Sequence, residues 1–80
     1  MNSKQREIIS DFLNELENAK YLHPYWPEDI IHASAIINEE AGELIKATLN
    51  FIYEKGSKKD IIKEAVHVGA TVIRFLESLS

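Results

Sequence analysis

Eighty residues, 45% of them hydrophobic, with a formal charge of -4 and no cysteine, describe one ordered domain over 1-80, near the smallest size that folds without covalent staples. The missing cysteines exclude a disulfide framework and thiolate metal sites, leave carboxylate and imidazole as the available ligands, and agree with a cytoplasmic protein. An acidic chain lacks the clustered basic face that a nucleic acid partner needs, and no apolar run approaches the ~20 residues of a membrane span, so neither partner is expected.

The N-terminal stretch MNSKQREIISDF does not show the basic then apolar pattern of a signal peptide and reads as mature chain. Asn2 or Ser3 can cap a first helix in which Ile8, Ile9, Phe12, Leu13 and Leu16 recur at helical steps to about Ala19. Both prolines then fall in YLHPYWPED, where each pushes its predecessor out of the helical region and turns the chain. Glu28 and Asp29 suit the first turn of a second helix, which the pattern carries to about Glu54. Gly56 ends it, and Ser57-Lys58-Lys59-Asp60 resembles a capping box that opens a third helix reaching about Ser78. The fold class is therefore all-α, with helices two and three predicted to form a long antiparallel hairpin that assembles into an oligomeric bundle.

The informative feature is where the acids fall. At ~100° per residue, Ile30, Ile37, Ala41, Leu44, Ile45, Thr48 and Ile52 share one face of helix two, and Glu39 and Glu43 share the other. Glu40 lies at the border, beside Ala33, Ile37 and Leu44, where a carboxylate is costly unless paired. On helix three, Asp60, Glu64, His67, Thr71 and Arg74 form one polar stripe, with Glu64 again at a border. Each helix thus offers a ligand pair one turn apart, Glu40 with Glu43 and Glu64 with His67. Three carboxylates converging with an imidazole would hold protons or a cation, because bare repulsion at low dielectric opens a bundle. Oxygen-rich ligation suits magnesium or manganese. A solvated acid face is the plain alternative, and a second pair at the same spacing weakens it.

The run Glu39-Glu40-Ala41-Gly42-Glu43-Leu44 followed by Glu64-x-x-His67 resembles the MazG-like all-α nucleoside triphosphate pyrophosphohydrolases, whose pattern is E-x-x-E, a spacer, then E-x-x-D. The spacer fits, the likeness covers roughly Pro24 to Leu79, and the proline-tryptophan approach to helix two is similar as well. The resemblance implies a metal-dependent hydrolase of phosphoric anhydrides that cleaves a nucleoside triphosphate, or its deoxy form, to the monophosphate and pyrophosphate. It implies a homodimer or homotetramer, Glu40, Glu43 and Glu64 as metal ligands, and Glu39 as the acid that orients or deprotonates water. His67 stands where the family has aspartate. Imidazole suits manganese better than magnesium and removes one negative charge, so three outcomes are open: a shift toward manganese, a phosphate contact by His67, or a weakened enzyme kept for binding.

For the outer phosphates the candidates are Arg74 on the ligand stripe and Lys55, Lys58 and Lys59 in the turn, with position favouring Arg74. Trp26 or Tyr25 could stack on the base, although a tryptophan packed over the bundle end is an equal reading. Two other classes compete. Glu64-x-x-His67 is also the helical signature of ferritin-like di-iron carboxylate bundles, which a homodimer could complete. A non-enzymatic helical oligomerisation module, its acids serving solubility, is the third reading.

Overall fold

Helix α1 (Ser3–Leu22) starts at a reciprocal cap, in which the Gln5 amide N–H donates to Asn2 Oδ1 at 2.8 Å and Asn2 N–H donates to Gln5 Oε1 at 3.1 Å. It runs a turn further than the apolar stripe predicts, stopping where Pro24 forbids the preceding residue a helical conformation. The computed structural model describes residues 1–80, with α2 at Ile30–Tyr53, α3 at Lys58–Ser78 and no strand. Asp29 does not sit in the first turn of α2. It is the N-cap, its carboxylate accepting from Ile31 N–H at 2.8 Å and His32 N–H at 3.1 Å, so it satisfies two of the end amides that lack helical partners.

Gly56 follows α2 as expected, but for a different reason than a left-handed cap, since no residue has a positive φ. Its N–H donates to Asn50 O at 3.1 Å, and a Cβ there would lie 2.9 Å from the Asn50 carbonyl carbon. Close backbone approach excludes a side chain. Ser57 then caps α3, its hydroxyl accepting from Asp60 N–H at 3.2 Å.

Helices α2 and α3 pack most extensively, α1 lies on another side of α3, and α1 and α2 do not pack on each other. Helix α3 is thus the spine of the fold. No residue from Glu64 to Phe75 is fully exposed, polar ones included. At the α1 crossing, Gly69 makes room for the Phe12 ring; a Cβ would lie 2.7 Å from two of its carbons. Helix α2 has turned roughly 70° about its axis from the face its apolar pattern predicts. Ala33, Ile37, Glu40, Leu44 and Ala47 meet α3, whereas Ile30, Ile45, Thr48 and Ile52 face away. Only five residues of the chain are buried, and no helix is long and apolar enough to cross a membrane.

Candidate metal centre

The rotation of α2 moves Glu40 from the border of the packed face toward its centre. There it meets the polar stripe of α3. One carboxylate oxygen each from Glu40 and Glu64 and one ring nitrogen of His67 lie within 4.8 Å of one another, and all three residues are half-buried. His67 Nδ1 is 3.4 Å from Glu64 Oε1 and 3.9 Å from Glu40 Oε2. These separations exceed the ~2.7–2.9 Å of a charge-assisted hydrogen bond. They lie in the range of ~3.0 to 4.4 Å expected for two atoms sharing one hard cation at ~2.1–2.2 Å. The donor set is two carboxylates and one imidazole.

Electrostatics mark the same place. Glu40 has its pKa raised above 4.5, first by desolvation and then by the negative charges of Glu64, Glu43 and Glu39; His67 acts in the opposite direction. Burying a carboxylate among other carboxylates disfavours its charged form, and a bound cation reverses that penalty.

Glu40 also forms part of a cleft of about 410 Å³ between the α1–α2 connection, α2 and α3. Glu39 lines it, exposed and next to Glu40. Arg74, Trp26 and Tyr25 form the far wall. Arg74 Nη2 donates to His23 O at 2.7 Å and reaches Tyr25 O at 3.5 Å, and its guanidinium carbon stands 5.0 Å from the centre of the Trp26 ring. The arginine on the ligand stripe is therefore what fastens the proline-rich connection to α3. Tyr25 is 75% exposed at the rim, whereas Trp26 is half-buried, its indole N–H without an acceptor.

Four of the sequence-selected residues stand apart, Lys59 among them, exposed and off the cleft beside Lys58. Glu43 is exposed and outside the Glu40, Glu64 and His67 cluster, near enough only for its charge to act on Glu40. Lys55 and Lys58 are exposed at the α2–α3 turn. Along α3, Lys58 lies ~24 Å from Arg74 at 1.5 Å per residue, and neither lysine lines the cleft. One residue was missed: Glu15 on α1, whose Oε2 is 3.6 Å from His67 Nε2. The signal was present, because Glu15 borders the Phe12, Leu16 and Ala19 stripe much as Glu40 borders its own. His23 and His32 also line the cleft. No protein family, curated protein or solved structure matches the chain.

Proposed function

We propose that the chain is a metal-dependent nucleotide pyrophosphohydrolase, converting a nucleoside or deoxynucleoside triphosphate and water to the monophosphate and pyrophosphate. The observation that carries this reading is the convergence of Glu40, Glu64 and His67 beside a cleft that also holds Glu39, Arg74, Trp26 and Tyr25. A ligand triad, a neighbouring free carboxylate, a cation and two aromatic rings are the parts that a triphosphate ester requires. The sequence resemblance to MazG-like enzymes supports the same assignment.

Glu40, Glu64 and His67 would hold magnesium or manganese, with Glu43 completing the set through a change of rotamer. When bound, the ion supplies Lewis acidity and neutralises phosphate charge. Glu39 orients the attacking water and accepts its proton as oxygen bonds to the α-phosphorus; the bond from that phosphorus to the bridging oxygen breaks, and pyrophosphate leaves with the electron pair. Arg74 commits Nη2 to the connection and keeps Nη1 and Nε for phosphate oxygens. Tyr25 offers an exposed ring to the base, and Trp26 backs Arg74.

A second copy of the chain is the proposed cover for the outer face of α2, giving a homodimer or homotetramer. Ile45 at 61%, Leu49 at 50% and Ile52 at 60% exposure form a continuous apolar strip at i, i+4 and i+7, and Ile31 at 80% stands bare nearer the start of the helix. Such strips are rare on monomers. The di-iron alternative would need the second E-x-x-H motif from that second copy, whereas one imidazole already gathers carboxylates from three helices within one chain. Pyrophosphate release from a panel of nucleotides, with magnesium and then manganese, tests the assignment. Release with at least one nucleotide is expected, faster with manganese; none with either ion overturns it.

A further inference from the structure

His67 is flanked on both sides. Its Nδ1 faces the two carboxylates on α2 and α3, Glu40 Oε2 at 3.9 Å and Glu64 Oε1 at 3.4 Å, while Nε2 faces Glu15 Oε2 on α1 at 3.6 Å. Glu15 is not part of the ligand cluster itself. Its side chain is 24% exposed, and it lines, with His67 and Glu40, a second cleft of about 300 Å³ on the α1 side. The two ring nitrogens of an imidazole point away from each other, so a carboxylate on one cannot share an ion held by the other.

We infer that Glu15 is a positioning residue: its carboxylate, 3.6 Å from Nε2 and so short of a formed hydrogen bond in the metal-free chain, closes on the His67 Nε2–H when a divalent cation takes Nδ1, and so fixes the ring orientation. The inference rests on the metal-centre reading above. A ring with Nδ1 on a metal carries its one remaining proton on Nε2, and that proton needs an acceptor in a half-buried place. Glu15 is the carboxylate on that side. The arrangement gives α1 a part in the site although it does not pack on α2. It also accounts for an imidazole where an aspartate would have no second donor to anchor. Aspartate binds through oxygens alone, whereas histidine uses one nitrogen for the ion and the other for α1.

Manganese affinity, measured without nucleotide on the full chain as wild type, Glu15→Gln and Glu15→Leu, tests this. Glutamine keeps an acceptor oxygen, so Glu15→Gln is expected to lose less than ~10-fold, and Glu15→Leu ~10–100-fold, the usual effect of removing a partner behind a metal-binding histidine. A merely structural Glu15 would not produce rescue by glutamine. On the wild type loaded with diamagnetic zinc, long-range proton–nitrogen correlation is expected to show His67 protonated at Nε2 and metal-bound at Nδ1. This measurement does not depend on either variant folding. Equal affinity in all three proteins, or a zinc-loaded ring protonated at Nδ1, overturns the inference and leaves the pyrophosphohydrolase reading standing. A wild type that binds neither ion overturns both. Manganese binding with the predicted Glu15 dependence, but no pyrophosphate release, sustains the inference while the proposed activity falls.

Discussion

The inner flank of α3 and the outer face of α2 reverse the usual division of a small protein. On α3, Glu64, His67, Thr71 and Arg74 are withdrawn from water between neighbouring helices. On α2, Ile31, Ile45, Leu49 and Ile52 are at least half exposed. Both arrangements cost free energy in an isolated chain: half-buried carboxylates lose hydration, and bare isoleucines forgo ~1.5–3 kcal/mol each. The lesson is that each surface carries an uncompensated cost, which the proposed cation would relieve on one side and the proposed second copy on the other.

The largest effect expected is on the inner flank. Changing Glu64 or Glu40 to glutamine should lower pyrophosphate release by ~10²–10³-fold, as removal of a charge-stabilising group does, with helical content by circular dichroism unchanged. Unaltered rates would show that the inner acids are only a polar seam. Next, Ile45→Glu together with Ile52→Glu should weaken self-association by at least ~100-fold, or ~3 kcal/mol, leaving a 9.1 kDa species in sedimentation. An unchanged sedimenting mass would remove the contrast, because the outer face would then be bare in solution.

Gly69→Ala probes the spine rather than either surface. A Cβ 2.7 Å from the Phe12 ring forces that ring aside, and denaturant unfolding should show a loss of ~1–3 kcal/mol. Stability equal to wild type would mean that α1 does not depend on Phe12 for its seat on α3.

The smallest effect is in the pH dependence of the metal-free chain. Because the folded pKa of Glu40 is raised above 4.5, the folded state binds more proton there than the unfolded state only in the window between that ordinary value and the raised one. This contribution to stability is fully present below about pH 4.5, the ordinary value, and is lost as pH rises through the raised folded value. Denaturant titrations across that window should show the downward slope, and Glu40→Gln should flatten it. Metal affinity should run the other way, falling as pH drops, since the ligand must be deprotonated. A slope that persists in the glutamine variant would assign it to another group.

The sequence by itself determined the three helices and the turn between the second and third, because these follow from local chemistry: Asn2 capping the first helix, Ser57 on Asp60, and prolines that cannot continue a helix, whereas Asp29, read as a first-turn residue, proved to be the cap of the second. It also singled out Glu40, Glu64 and His67, although the one-turn spacing that pairs Glu64 with His67 equally paired Glu40 with Glu43, which the fold leaves outside the cluster. The rotation of α2 against α3 was decided only in three dimensions. Its apolar pattern is broader than the face one neighbour can cover, so several rotations satisfy the pattern equally, and packing chose the one that draws Glu40 inward and leaves Ile45 and Ile52 outside. Glu15 depended on the same kind of choice. Its meeting with His67 spans most of the chain, and no helical period encodes a contact between rods.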